Sequence, residues 1–158
     1  CRFKEFDNNG EWVEKQIGDY YKNLSTGMTP SRTNPEFFNG KIPWITSGEL
    51  NYDIVINTRE YITEEAVKET NLKIYKPGTL FIAITGLEAP GTRGKCAING
   101  IPTTTNQSCM AFEENEIIDT KFLFYWYQNF SEILYSYAQG TKQQSFNNAI
   151  VEKFVLIH

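Results

Sequence analysis

A chain of 158 residues, 41% hydrophobic and 15% aromatic, is long enough for one packed domain and short for two. Three cysteines cannot all pair, none is spaced as CxxC, and the single histidine is the last residue, His158; this argues against His-dependent triads and dyads and against His-ligated metal centres. Net charge is −4, which taken alone disfavours a nucleic-acid binder; no run approaches the ~20 apolar residues of a membrane span, and the cysteine pattern gives the expectation of a cytoplasmic chain with reduced thiols.

The chain opens on Cys1 and closes inside the apolar run Phe154-Val155-Leu156-Ile157, which reads as a single domain, residues 1–158, excised from a longer protein. Residues 11–24 suit a strand or short helix. The loop Leu24-Ser25-Thr26-Gly27-Met28-Thr29-Pro30-Ser31 follows, rich in turn formers. Asn39-Gly40 marks a tight turn, and Ile42-Pro43-Trp44-Ile45-Thr46 and Tyr52-Asp53-Ile54-Val55-Ile56 read as strands, the second alternating with period two. Thr63 caps a short helix whose first turn holds Glu64 and Glu65, where the helix dipole favours acids.

Thr79 to Thr85 is a continuous apolar run and the best candidate for a central strand buried on both faces. Asn99-Gly100, flanked by Cys96-Ala97-Ile98 and Ile101, predicts a hairpin, and Gln107 to Phe112 another strand. From the capping residue Asp119, apolar positions Phe122, Trp126, Phe130, Ile133, Leu134 and Tyr137 recur every three or four residues until Gly140, the pattern of an amphipathic helix closed by glycine. The expected core includes Leu80, Ile82, Ile84, Phe122, Trp126, Ile133 and Leu134.

Two motifs approach catalytic signatures and fail. The segment Thr85 to Cys96 follows a buried strand as a phosphate-binding loop does, but Ala89 stands at the first glycine position, Cys96 replaces the hydroxyl, and a hairpin rather than a helix follows. Asn34-Pro35-Glu36-Phe37 resembles the base-holding loop of amino-methyltransferases, but Glu36 replaces a proline and no glycine-rich methyl-donor site precedes it. The expectation is a domain without catalysis, cofactor or metal.

Charge is distributed unevenly: stretches 20–35, 89–112 and 133–151 contain Lys22, Arg32, Arg93, Lys95 and Lys142 but no acid. Their loops are dense in groups that bond phosphates and base edges: Lys and Arg suit phosphates or guanine, Asn and Gln adenine, Ser and Thr phosphates. From the residues alone, simple solvated loops are the commoner case. A carbohydrate-binding module or enzyme with aromatics lining a sugar groove is the rival reading from a different class.

The order of segments resembles the target recognition domain of type I restriction-modification specificity subunits. The matching stretches are Arg2-Phe3-Lys4-Glu5-Phe6, Glu11-Trp12, Ile17-Gly18-Asp19, Gly27-Met28-Thr29-Pro30-Ser31, Ile42-Pro43-Trp44-Ile45-Thr46 and Ile62-Thr63-Glu64-Glu65-Ala66. Further along come Pro77-Gly78-Thr79-Leu80, Gly94-Lys95-Cys96-Ala97-Ile98, Thr105-Asn106-Gln107 and Gly140 to Asn147. The resemblance implies a domain that reads one half of a split double-stranded DNA target. Modification (methyltransferase) and restriction subunits would dock on long helices outside this chain. A recognition domain from a fused restriction enzyme and methyltransferase is the alternative within the same system.

The expected fold is α+β, a single domain with a twisted mixed β-sheet, a short helix near Thr63 to Asn71 and a longer amphipathic helix near Asp119 to Gln139. The candidate DNA contacts are Lys22, Thr26, Ser31, Arg32, Arg93, Lys95, Thr104, Asn106, Thr141, Lys142, Gln143, Gln144 and Asn147. Of these, Arg32, Arg93, Lys95 and Lys142 are expected on one face, since a DNA-binding surface must gather its positive charge.

Overall fold

The computed structural model describes residues 13–138 and 144–157. In chain order the elements are β1 (Glu14–Gln16), α1 (Ile17–Tyr20), β2 (Ser25–Thr26), a 3-10 turn at Pro35–Phe38, β3 (Ile42–Ile45), a second 3-10 turn at Ser47–Glu49, β4 (Ile54–Val55) and β5 (Glu60–Ile62). They continue with α2 (Glu64–Thr70), β6 (Leu80–Ala83), β7 (Cys96–Asn99), β8 (Thr104–Thr105), β9 (Cys109–Phe112), α3 (Thr120–Tyr135) with a 3-10 extension at Ser136–Ala138, α4 (Asn148–Val151) and β10 (Val155–Ile157). The helix starts follow the capping residues. Thr63 Oγ1 accepts from the Ala66 amide at 3.2 Å, and Asp119 Oδ1 accepts from the Lys121 and Phe122 amides at 2.6 and 3.2 Å, satisfying donors that the first helical turn leaves unpaired.

The α+β class holds, with the strands divided among three sheets. A five-stranded sheet runs β2-β9-β6-β7-β4, a three-stranded sheet runs β5-β3-β8, and β1 pairs with β10. Both larger sheets are mixed: β4 lies parallel to β7 and β3 parallel to β8, while the other pairs are antiparallel. β6 is central, as its unbroken apolar run predicts, and all four residues are buried. Alternation sends Leu80 and Ile82 into the core under α3, with Met110, Phe112, Leu123, Trp126, Tyr127 and Leu134. Phe81 and Ala83 point the other way, into a second core with Ile45, Leu50, Val55 and Tyr75 that joins the two sheets.

Three expectations change. Leu80, Ile82, Ile84, Trp126 and Leu134 are buried, but Phe122 is 36% and Ile133 64% exposed. Positions 122–127 read Phe-Leu-Phe-Tyr-Trp-Tyr, so spacing alone selects no unique face, and the sheet takes Leu123, Phe124, Trp126, Tyr127, Leu134 and Tyr135. Asn99-Gly100 makes no hairpin, because the chain leaves β7 for β8 in the other sheet. The Asn99 side chain is buried instead: its Oδ1 accepts from the Thr79 amide at 2.8 Å and its Nδ2 donates to the Tyr75 carbonyl and Thr103 hydroxyl. The predicted strand at Tyr52 to Ile56 shortens to β4, since Tyr52 turns into the left-handed region with φ 62°. The predicted glycine stop at Gly140 lies outside the described residues.

Candidate nucleic-acid interface

Strand direction sorts the loops to two ends of the sheet. β2 and β6 run one way, β9 and β7 the other, so segments 27–34, 84–95 and 106–108 leave the five-stranded sheet at one edge. Segments 76–79, 100–103 and 113–119 leave it at the opposite edge. The first set contains Arg32, Arg93 and Lys95 against Glu88, and segment 46–53, which enters β4 at the same edge, adds Glu49 and Asp53; the second gathers Glu113, Glu114, Glu116 and Asp119 against Lys76, with Arg59 after β4 and Lys22 before β2 at that edge. Stretches scattered along the sequence thus meet at one edge, and the run of four acids in segment 113–119 leaves the sheet at the other, where it would not oppose a polyanion approaching the first.

Backbone bonds fix the loops of this edge to one another. The Gly27 amide donates to the Asn106 carbonyl at 3.0 Å, the Met28 amide to the Thr105 carbonyl at 3.2 Å and the Asn106 amide to the Ile45 carbonyl at 3.0 Å. A Cβ on Gly27 would stand 1.7 Å from the Thr105 carbonyl oxygen, so only glycine permits this approach. Trp44 Nε1 donates to the Met28 carbonyl at 3.2 Å and holds the first loop from below. On the other side, the Phe146 amide donates to the Ile84 carbonyl at 2.8 Å and the Leu87 amide to the Gln144 carbonyl at 3.2 Å, bringing segment 144–146 to the same edge.

The candidate contacts divide accordingly. Thr26 and Ser31 are exposed there, the Ser31 hydroxyl sharing a 2.7 Å hydrogen bond with Thr33 Oγ1. Lys95 is half-buried, its backbone carbonyl accepting from the Ala83 amide at 2.9 Å at the head of β7. Arg32 is also at this edge but engaged: its Nη1 and Nη2 donate to the two Glu60 carboxylate oxygens at 2.5 and 2.9 Å, with its guanidinium carbon 4.0 Å above the Phe38 ring centroid. That hydrogen bonding holds the Glu60 carboxyl below the usual carboxylate range. Arg93 is bound still more tightly. Nε donates to the Leu87 carbonyl at 2.6 Å, Nη2 to the Glu88 carbonyl at 3.3 Å and Nη1 to Glu132 at 3.4 Å, which ties the loop to α3.

Other candidates support loops. Thr104 is corrected: it is fully buried and its hydroxyl donates to the Pro43 carbonyl at 2.9 Å, tying β8 to β3 with nothing left for DNA. Asn106 Oδ1 accepts from the Ser108 amide at 3.0 Å and shapes the turn. Asn147 Oδ1 accepts from the Ile150 amide at 2.9 Å and caps α4. Gln144 Oε1 accepts from the Tyr135 hydroxyl. Lys22 precedes β2, away from this edge, and its Nζ donates to the Gly18 carbonyl at 2.8 Å. Thr141, Lys142 and Gln143 lie outside the described residues.

Sequence reasoning passed over Thr29 and Gln107, whose side chains meet at this edge, Thr29 Oγ1 donating to Gln107 Oε1 at 2.7 Å. The available signal was Asn106, an Asx-turn former that places the next residue at a turn tip.

Among the described residues, no group of three His, Cys, Asp or Glu side chains is placed to hold a metal ion, and no helix is long and apolar enough to cross a membrane. Cys96 and Cys109 are unpaired and buried, and burial pushes both thiols up to about 12. Trp44 and Trp126 are 2% and 8% exposed, so neither tryptophan is available to line a sugar groove.

The arrangement of sheets and helices is shared with solved specificity subunits of type I restriction-modification systems. A structure described as the HsdS subunit from Thermoanaerobacter tengcongensis superposes on 92% of this chain and 32% of its own, with TM-score 0.64 and 13% identity. A chain from a structural study of complex assembly and conformational transition of the type I R-M system gives TM-score 0.69 at 11% identity, over 92% of this chain and 33% of that one. Residues 9–157 match the family described as Type I restriction modification DNA specificity domain, and the chain belongs to that family. It is 34% identical over 132 residues to the MjaIX specificity subunit of Methanocaldococcus jannaschii, across 80% of this chain. It is 32% identical over 124 residues to the EcoR124I/EcoR124II specificity subunit of Escherichia coli, across 78% of this chain. The chain spans 29% of the length of each of these relatives.

Proposed function

We propose that this chain is one DNA target recognition domain of a longer specificity subunit, reading one half of a split double-stranded target in the cytoplasm and making or breaking no bonds itself. Modification and restriction subunits, docked on other parts of the subunit, would supply the methyl-transfer and cleavage chemistry. What supports this reading is the edge at which segments 27–34, 84–95 and 106–108 meet: the first and third are tied to each other backbone to backbone, together they expose hydroxyl and amide side chains beside Lys95, and the acid-rich segment 113–119 leaves the sheet at the opposite edge. Phosphate contacts position a protein on DNA and base-edge contacts specify the sequence, and this edge offers both kinds of group: Lys95 for phosphates, and the amides and hydroxyls of Gln107, Thr26 and Ser31 for either.

The test is charge reversal at the two edges, measured on the full specificity subunit in its enzyme complex with a target duplex across a salt series. Lys95→Glu should weaken binding and flatten the plot of log affinity against log salt by roughly one unit, for the single phosphate no longer neutralised. Lys76→Glu, at the acidic edge, should leave both unchanged. Equal losses from the two variants would overturn the assignment of the interface.

A further inference from the structure

The candidate interface edge contains a side-chain pair, drawn from two different loops, whose hydrogen-bonding capacity the fold leaves partly unused. Gln107 is exposed at the tip of the turn between β8 and β9, and Thr29 is half-buried in the loop after β2. They are 78 residues apart in sequence, and the Thr29 hydroxyl donates to Gln107 Oε1 at 2.7 Å. The two loops are already joined by the Gly27 and Met28 amides and clamped by Trp44, so a single exposed hydrogen bond between neutral side chains adds little to their cohesion. Its stronger effect is on orientation: the threonine hydroxyl fixes the rotation of the carboxamide and decides where its oxygen points.

A carboxamide oxygen has two lone pairs and its nitrogen two hydrogens. After the bond from Thr29, Oε1 retains one acceptor site and Nε2 both donors. In the major groove, adenine presents the N6 amino donor beside the N7 acceptor, and this is the edge that an Asn or Gln amide engages with two bonds. Guanine presents two acceptors, O6 and N7, cytosine the N4 donor and thymine the O4 acceptor, so none of them pairs with both ends of the amide. Neither loop, 27–34 nor 105–108, contains an acid that would repel the flanking phosphates. The platform is also rigid, and a side chain fixed before binding loses less freedom on meeting its partner.

We propose that Gln107 is a base-reading residue of this domain, selecting adenine through its major-groove edge, and that Thr29 is its positioning residue. The proposal rests on the DNA-recognition reading above and identifies where in the interface one base is chosen.

The experiment selects bound duplexes from a randomised pool with the full specificity subunit in its enzyme complex. Four forms are compared: unaltered, Gln107→Ala, Thr29→Val and Thr29→Ser. The unaltered protein should enrich a half-site with a fixed adenine at one position. Gln107→Ala should lose the preference there by roughly 5- to 150-fold, the range for one bidentate base contact, and keep it at every other position. Placing 7-deazaadenine at that position, which removes N7, should weaken the unaltered protein and leave Gln107→Ala unaffected. Thr29→Val, nearly the same shape without the hydroxyl, should relax the same position, and Thr29→Ser should restore it, both with unchanged thermal stability. Enrichment of the same half-site, equally sharp, by Gln107→Ala would overturn the proposal. A fall in thermal stability with Thr29→Val and uniform loss at all positions would overturn the positioning role. If the unaltered protein enriches no sequence, the recognition reading itself has failed.

Discussion

The guanidinium carbon of Arg93 stands 3.6 Å above the ring centroid of Tyr135, and the hydroxyl of the same tyrosine donates to Gln144. One helix residue therefore anchors two loops of the candidate interface edge, the first through a cation–π contact and the second through a hydrogen bond. Arg93 is 18% exposed along its side chain, and its planar fork meets two carbonyls that lysine cannot reach together. Arg93→Lys should therefore destabilise the fold by about 1 to 3 kcal/mol in urea unfolding, although the charge is kept. If Arg93 served DNA binding alone, the lysine variant would unfold like the unaltered protein and bind less tightly.

Gly27 should be intolerant of even one methyl group. Its Cβ position is 1.7 Å from the Thr105 carbonyl oxygen, so Gly27→Ala must push the hydrogen-bonded loops away from each other and should cost at least about 1 to 3 kcal/mol. Gly91 has nothing within 4 Å of its Cβ position, and Gly91→Ala should change stability by less than about 0.5 kcal/mol. Paired denaturation curves of the two variants measure the contrast, and similar midpoints would mean that the loops do not pack backbone to backbone.

Adjacent residues of α3 should respond oppositely to truncation. Leu134 is 4% and Ile133 64% exposed. Leu134→Ala should cost about 2 to 5 kcal/mol through lost burial and the cavity left behind, as should Ile82→Ala in the central strand. Ile133→Ala should stay within about 0.5 kcal/mol. Reversed magnitudes for Leu134 and Ile133 would mean that the helix presents its other face to the sheet.

Alkaline pH should destabilise the fold through buried acids that resist ionising. Cys96 and Cys109 rise from 9.0 to about 12 and Tyr21 from 10.0 to about 12, each through burial. The folded chain therefore holds these protons while the unfolded chain releases them. Stability is fully present below pH 9 and is progressively lost as pH rises toward 12. Thermal melts across this range should show a falling midpoint, and Cys96→Ala with Cys109→Ala should reduce the slope. Peptide mapping after alkylation at neutral pH should find both thiols unmodified until the chain is unfolded, because the thiolate is the reactive form; rapid labelling of the native protein would contradict their burial.

The sequence by itself determined the local structure that neighbouring residues decide. Thr63 and Asp119 supply side-chain oxygens to the first turns of α2 and α3, and the unbroken apolar run around β6 leaves no polar face to point at water, so both helix starts and the central strand were legible. The order of short motifs also carried the family resemblance. The face of α3 was not legible, since the consecutive apolar residues from Phe122 to Tyr127 satisfy several helical stripes and only the position of the sheet chooses among them. Asn99-Gly100 has the local signature of a hairpin, but the buried amides and carbonyls around Asn99 are long-range partners that no short window contains. The candidate interface was half-legible for the same reason. Residue chemistry marked Arg93 and Thr104 as candidate contacts; packing buries the second between two strands and gives the first a further part as a loop anchor against Tyr135. Packing also brought Thr29 to Gln107 across 78 positions, a proximity set by the antiparallel course of β2 beside β9 and by the missing side chain of Gly27.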